Sequence, residues 1–160
     1  AARMIARKCK FGSLDLAYTA ALLHDIGKVI LNDHMKEAYH EVVARVDENN
    51  ISFMEAENEV FGFNHAQVGA RVAEKWNLPS ELVESIALHH NPQDAVLNQR
   101  LTSIVHLADA ICVSMGIGIG IDGMLYPISE EAMKLLNFDE IQVERTISEL
   151  VDVFSDQQSF

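Results

Sequence analysis

The stretch Leu22-Leu23-His24-Asp25-Ile26-Gly27-Lys28 decides how the rest of this sequence is interpreted. An apolar helical pattern runs into an adjacent imidazole and carboxylate, which can bind one divalent cation from neighbouring backbone positions. The carboxylate of Asp25 can also bridge to a second cation. We expect Gly27 to free the backbone after this pair and Lys28 to place an ammonium group where a phosphate can lie. Other imidazoles and one further carboxylate, distant in sequence, are expected to converge here.

The composition indicates a folded domain that acts on neither a nucleic-acid polymer nor a membrane. The chain has 160 residues, of which 49% are hydrophobic, enough for one domain with a sizeable core. Its net charge of -12 argues against a nucleic-acid backbone or an anionic lipid surface as partner. A small phosphorylated ligand remains compatible, because a bound cation reverses the local field. Cys9 and Cys112 are too few for a disulfide framework, and without a signal peptide they favour a cytoplasmic location.

Apolar residues recur at three- and four-residue steps along the chain, and no strand or hairpin pattern interrupts them. Helices are predicted at 1–11, 14–25, 33–46, 52–60, 65–76, 82–90, 97–115, 129–136 and 139–154, with a short apolar continuation at 29–31 and a polar break at 47–50. The glycines from Gly116 to Gly123 are expected to form a loop. The sequence therefore predicts an all-α fold, a single compact multi-helix domain over 1–160. Helical pattern is already present at Ala1, so we expect a fragment of a longer chain.

Titratable residues lie on the apolar faces of four predicted helices, where they are costly to bury. Asp25 continues the row Leu14, Tyr18, Ala21; His65 lies with Val68, Gly69, Val72 and Trp76; His89 and His90 extend Leu82, Val83 and Ile86; Asp109 lies between Val105 and Cys112. Burying such groups costs several kcal/mol unless they are paired or coordinated. Metal ions offset this cost at all of these positions together, because imidazoles and carboxylates are their ordinary ligands.

Each of these residues taken alone also has a structural explanation. A single histidine on a helix face is more often hydrogen-bonded within the fold than bound to metal, and we assign His34, His40 and His106 to that group. A lone His-Asp dipeptide is similarly uninformative. The metal hypothesis rests on the conjunction of the His-Asp pair with the later histidines and Asp109.

The motifs resemble the HD superfamily of metal-dependent phosphohydrolases, most closely its HDOD branch, a bacterial signalling output domain. The resemblance rests on AALLHDIGKVIL at 20–31, FNHAQVGARVAEKWNLP at 63–79, ELVESIALHHNP at 81–92 and VHLADAI at 105–111. Together these motifs define a core at about 14–116, and the ordered set is more specific than any one of them.

The resemblance implies a set of site residues. His24, Asp25 and Asp109 match metal ligands, and His65, His89 and His90 match positions that complete a second or third metal site in HD-GYP relatives. Asp25 and Lys28 are the implied catalytic residues, with Lys28 contacting substrate phosphate. The cofactor implied is one or more divalent ions, Fe, Mn, Mg, Ni or Zn, and the activity is hydrolysis of a nucleotide or another phosphate ester.

Two departures from the family pattern keep other functions open. Between Ala1 and the His-Asp pair the sequence offers no further His or Glu ligand, and its one acidic residue there, Asp15, is poorly placed. Such a ligand either lies upstream of Ala1 or is absent. The segment HHNPQDA lacks the GYP signature, which removes support for cyclic-di-GMP hydrolysis. One alternative is a regulatory module of the same fold that binds a protein or nucleotide partner without cleaving it. Another is a structural helical domain whose buried His and Asp pair with one another. The acidic surface and the apolar last helix permit a homodimer.

Overall fold

The computed structural model describes residues 1–117 and 127–157, the last two without side chains, and helices make up most of both segments. The helices are α1 (Ala2–Lys8), α2 (Leu14–Leu23), α3 (Ile26–His34), α4 (Lys36–Asn49), α5 (Phe53–Phe61), α6 (His65–Lys75), α7 (Ser80–Leu88), α8 (Gln99–Ser114), α9 (Glu130–Leu136) and α10 (Glu140–Gln157). A 3₁₀ turn, Pro92–Asp94, joins α7 to α8. The described residues contain no strand, which confirms the all-α prediction. Of the predicted glycine loop, Gly118, Gly120 and Gly123 lie outside the described residues.

Side-chain caps determine where α5 and α6, two of the helices near the candidate site, begin. The Ser52 hydroxyl accepts a hydrogen bond from the Glu55 amide and the Glu55 carboxylate accepts from the Ser52 amide, which confirms the predicted capping box of α5. Asn64 and Gln67 form the same reciprocal pair at the start of α6, with both bonds 3.1 Å long. His65 is therefore the first residue of α6, in a capped and fixed turn.

Several predicted boundaries differ from the structure; the first helix, for example, ends at Lys8 and not at Phe11. The second helix does not run through His24 and Asp25, because α2 ends at Leu23 and α3 begins at Ile26. Asp33, the expected start of the next helix, lies inside α3. The polar residues at 47–49 continue α4, since they are exposed and a helix tolerates them there; α4 ends where Asn50 adopts φ 52°, a left-handed conformation that asparagine accepts.

Gly27 has a different role from the one expected. It lies inside α3, and it is not among the described glycines with positive φ, so backbone freedom is not what it supplies. A Cβ atom at this position would overlap the His65 carbonyl and lie 2.9 Å from the Gly69 nitrogen. Glycine is needed because the backbones of α3 and α6 touch here, and the expectation of added freedom was wrong.

The buried faces of two helices, α6 and α2, also differ from the prediction. Trp76, expected to face inward, is 55% exposed at the end of α6. Besides His65, α6 buries the small residues Ala66, Gly69 and Ala73, and the predicted Val68 and Val72 are half-buried. In α2 the buried positions are Ala17 and Ala20.

The two apolar clusters meet at the joint between α2 and α3. One cluster contains residues of α1, α2, α8, α9 and α10, and its most buried large side chains include Ile5, Leu101 and Ile111. The other contains residues of α3, α4 and α5. Because α2 belongs to one and α3 to the other, the His24–Asp25 joint connects both clusters. Among the described helices, none is both long and apolar enough to cross a bilayer.

The α3–α6 contact predicts that Gly27→Ala strongly destabilises the fold. The added methyl group must displace backbone rather than a flexible side chain, so we expect a loss of at least about 2 kcal/mol in the free energy of unfolding, measured by urea denaturation. Gly12→Ala is the matched control, because nothing lies within 4 Å of its Cβ position. Equal stability of the two variants would contradict the steric role of Gly27.

Candidate metal centre

The first side chains of the site project from the joint between α2 and α3. The His24 Nδ1 atom lies 2.7 Å from the Ala21 carbonyl oxygen. Because a carbonyl oxygen can only accept, the ring proton is on Nδ1, which donates this hydrogen bond. The Nε2 atom of His24 is thereby directed away from α2. Its closest carboxylate oxygens are Asp109 Oδ1 at 3.3 Å and Asp25 Oδ2 at 3.5 Å.

His65 is held at the start of α6 by a buried carboxylate on α5. The Glu57 Oε2 atom accepts from both the His65 backbone N–H at 2.8 Å and its Nδ1–H at 2.6 Å. The opposite ring nitrogen, Nε2, faces the centre. It lies 3.3 Å from Asp25 Oδ1, and 2.8 Å from the Nε2 of His90.

His89 and His90 follow the last turn of α7. The His89 Nδ1–H donates to the Ile86 carbonyl at 2.8 Å, so this ring also turns Nε2 inward. That atom lies 3.4 Å from His65 Nε2 and 3.7 Å from Asp25 Oδ1. Asp109 enters from the middle of α8.

All six predicted metal ligands are therefore brought to one place, from four separate parts of the chain. Among the described residues, two groups of donor atoms lie mutually within 4.8 Å: His65, His89 and His90 form one, and His24, His89 and Asp109 form the other. Asp25 lies between the groups, with Oδ1 toward His65 and His89 and Oδ2 toward His24.

The donor set fits a metal ion better than it fits a hydrogen-bond network. In His24, His65 and His89 the Nδ1 proton is directed outward, so three Nε2 lone pairs point at one another and at carboxylates, which also only accept. His90 Nε2, 2.8 Å from His65 Nε2, can donate to one of these acceptors and leaves the others without a proton. His24 Nε2 and Asp25 Oδ1 are buried without a hydrogen-bond partner. At a metal–nitrogen distance of about 2.1 Å, two ligands of one ion lie about 3.0–3.4 Å apart, close to the separations seen here.

The electrostatics hold two of the candidate ligands, His89 and Asp25, in the forms that bind metal. Burial and the neighbouring charges of His24 and His65 lower the pKa of His89 to about 3. Burial alone would raise the pKa of Asp25, but His24 and Lys28 hold it well below its ordinary value. At neutral pH His89 is therefore neutral and Asp25 ionised, as coordination requires.

His24 differs from these two residues, because the neighbouring carboxylates favour its protonated form. Burial would lower the pKa of His24, but Asp109 and Asp25 together raise it. His24 in turn lowers the pKa of Asp109, although burial opposes the change. A cation that takes the place of the His24 proton keeps both carboxylates compensated.

A cleft of about 830 Å³ gives access to one side of the centre. His24, Asp25, Lys28 and Asp109 line it, whereas His65 and His89 are fully buried. The Lys28 ammonium donates to Asp25 Oδ2 at 2.8 Å. A ligand in this cleft can therefore meet an ammonium and a carboxylate at the same point.

Sequence reasoning missed Glu57. It lies on the inner face of α5 with Phe53 and Ala56, and its exposure is 0%. The test applied to the other site residues, a titratable group on an apolar helical face, would have found it. His106, assigned a structural role, is buried and links two segments: its Nδ1–H donates to the His89 carbonyl, and its Nε2 accepts from the Ser129 amide at 2.9 Å.

The fold and the centre together define an all-α domain with buried histidines and carboxylates around one cleft. The HDOD domain family model matches residues 1–92, more than half of the sequence. The chain therefore belongs to the HDOD domain family, which confirms the resemblance drawn from its motifs.

Solved structures share this fold. An HDOD domain protein of unknown function from Geobacter sulfurreducens matches 93% of this chain at a TM-score of 0.71 and 25% identity. A chain from Shewanella amazonensis SB2B, named "Putative phosphohydrolase", matches 92% of it at a TM-score of 0.70 and 19% identity, which shows the fold alone. An uncharacterized protein of Treponema pallidum (strain Nichols) is 31% identical over 75 residues, or 47% of this chain. The present chain spans 58%, 54% and 15% of these three relatives.

The bonds of His106 predict that it supports the centre without binding metal. In His106→Asn the shorter amide can still donate toward the His89 carbonyl but no longer reaches Ser129. We expect a loss of about 1 kcal/mol in the free energy of unfolding, because the half-buried Ser129 amide loses its acceptor. Metal content after loading should equal that of the wild-type protein by elemental analysis. A folded variant that had lost its metal would place His106 among the ligands.

Proposed function

We propose that this chain is a metal-binding HD-type domain of bacterial signal transduction that hydrolyses a nucleotide or another phosphate ester. The observation that carries the proposal is the convergence of three imidazole lone pairs with Asp25 and Asp109. Such a set of acceptors is unstable without a cation and matches the ligands of divalent metals.

The chemistry of the donors narrows the choice of ion. The ligands proposed are His24, Asp25, His65, His89, His90 and Asp109, four imidazoles and two carboxylates. Imidazole-rich sites suit Fe, Ni and Zn, and the two carboxylates also suit Mn, whereas Mg prefers a shell of oxygen ligands that includes several waters. We therefore expect Fe, Mn, Ni or Zn in preference to Mg.

The cleft supports a reaction at phosphate. A divalent cation, when bound, polarises a phosphoryl oxygen and lowers the pKa of a water molecule. Lys28 is held at the cleft by Asp25, where its ammonium can donate to a phosphate oxygen. The ionised Asp25 faces the same space. Its carboxylate can orient the attacking water molecule by accepting a hydrogen bond from it.

A second function, a regulatory module without hydrolysis, is supported by the helices before the His-Asp pair. Asp15 is exposed and forms an ion pair with Arg3, so it does not reach the centre. From Ala1 to Leu23 the structure places no His or Glu at the site, where family enzymes usually have a further ligand. A metal centre that holds the fold in a binding-competent state would account for the same residues.

The metal hypothesis predicts a specific loss on Asp25→Ala. Wild-type protein loaded separately with Mn²⁺, Fe²⁺, Ni²⁺ or Zn²⁺ and then desalted should retain at least one ion per chain by elemental analysis. Asp25→Ala should lose most of it, because Asp25 faces both donor groups. Asp33→Ala is the matched control, since Asp33 is exposed on α3. A wild-type protein that retains none of the four ions contradicts the proposal.

Hydrolysis is tested on the same samples. Metal-loaded wild-type protein is assayed with p-nitrophenyl phosphate and with nucleoside monophosphates, beside Asp25→Ala and Asp33→Ala. Turnover in the wild type and Asp33→Ala, but not in Asp25→Ala, is the expected result. Equal turnover in all three proteins would remove the enzymatic case, and absence of turnover in a loaded wild type would favour the regulatory module.

A further inference from the structure

Glu57 is a fully buried carboxylate outside the ligand set. Its Oε2 atom accepts two hydrogen bonds from one residue, His65, and its Oε1 atom is buried without a hydrogen-bond partner. Among the described ion pairs, His65 is the one partner of Glu57, and no lysine or arginine forms an ion pair with it there. A buried carboxylate with so few partners costs several kcal/mol.

The bond from Glu57 acts on the ring that contacts the rest of the centre. His65 Nε2 lies within 3.4 Å of Asp25, His89 and His90. Because Nδ1–H is fixed on Glu57, the lone pair of His65 can only be at Nε2, facing those residues. A carboxylate on the far nitrogen of an imidazole also increases the basicity of the near nitrogen.

A structural role alone explains only half of this arrangement. The His65 backbone N–H is one of the unpaired donors at the start of α6, and a carboxylate that accepts it stabilises the helix. An uncharged acceptor would serve that purpose without burying a charge. The second, shorter bond to the ring has no function in starting the helix.

We propose that Glu57 is a positioning residue of the metal centre, which fixes the tautomer of His65 and supplies negative charge that a bound cation compensates. The inference rests on the proposed metal function. In this role of Glu57, cation binding and the charge of the carboxylate depend on each other. Removal of the charge weakens cation binding, and cation binding relieves the cost of burying the charge.

The test replaces the charge and keeps the shape. Glu57→Gln leaves an amide oxygen that can accept both N–H groups of His65, so the fold should persist. Glu59→Gln is the matched control, the same change at an exposed position two residues further along α5. Each metal-free protein is titrated with Mn²⁺ and with Zn²⁺ by calorimetry, and its melting temperature is recorded with and without the ion.

We expect Glu57→Gln to bind the ion about 10–100-fold more weakly than the wild type, with Glu59→Gln unchanged. The metal-free Glu57→Gln protein should melt no lower than the wild type, and its rise in melting temperature with ion should be smaller. A folded Glu57→Gln protein with wild-type affinity overturns the inference and leaves the proposed metal function intact. A wild type that retains none of the four ions in the loading experiment overturns both, and that failure is visible without any variant; where it retains only Fe²⁺ or Ni²⁺, the titration uses that ion.

A measurement on the wild type covers the case in which Glu57→Gln does not fold. Imidazole ¹⁵N NMR should show a His65 Nδ1–H signal that persists when Zn²⁺ is added, while the Nε2 signal shifts. A proton found on Nε2, or a Zn²⁺-induced loss of the Nδ1 proton, overturns the inference.

Discussion

The backbone contact between α3 and α6 sets the distances on which the centre depends. Gly27 lies two residues after Asp25, and a side chain there would overlap the His65 carbonyl. The absence of that side chain is what allows Asp25 and His65 to approach to 3.3 Å. Gly69 extends the same constraint to α7, since a Cβ atom there would lie 3.0 Å from the Ile86 side chain, one turn before His89. Close packing of two glycines thus brings ligands from three helices together.

Buried carboxylates in this fold are stabilised in two different ways. Glu84 on α7 accepts hydrogen bonds from the backbone amides of Val96, Leu97 and Asn98, so the protein itself satisfies it and fixes the approach to α8. The half-buried Asp25 shares His24 with Asp109 and His65 with the buried Glu57, and Asp25 also pairs with Lys28. The unsatisfied acceptors are concentrated in this second group, at His24, Asp25 and Glu57. The concentration of negative charge and lone pairs in one region distinguishes a cation site from ordinary buried polarity.

Local signals in the sequence were sufficient for much of the fold. The all-α class followed from apolar spacing, and the starts of α5, α6 and α9 followed from Ser52, Asn64 and Ser129, because a cap depends on residues within one turn. The role of Gly27 and the exposure of Trp76 depend on which helix packs opposite, information that no local pattern contains. The break between α2 and α3 is of the same kind, since Ile26 to Leu31 would fit either a continued helix or a new one.

The candidate site, like the fold, was predictable only in part from local pattern. The residues that the structure brings together were identifiable because each is a titratable group on an apolar face. Their pairing was not, because it depends on ring orientation: the carbonyls of Ala21 and Ile86 and the carboxylate of Glu57 take the Nδ1 protons. Selection of the candidate ligands therefore used local helical pattern and the conjunction of such residues along the sequence, whereas the direction of their lone pairs depends on the whole fold.

The distribution of donors bears on whether the centre is structural or reactive. His89 belongs to both donor groups, but a neutral imidazole with its proton on Nδ1 has one lone pair and can serve one ion. Two ions would therefore divide the set unequally: if His89 serves the ion beside His65 and His90, the other ion would have His24 and Asp109 with a share of Asp25. Structural metal sites are closed by four protein ligands, whereas catalytic sites keep a position for water or substrate. The less complete group is the one that lines the cleft beside Lys28, so the open position would face the space that a phosphate ester can enter.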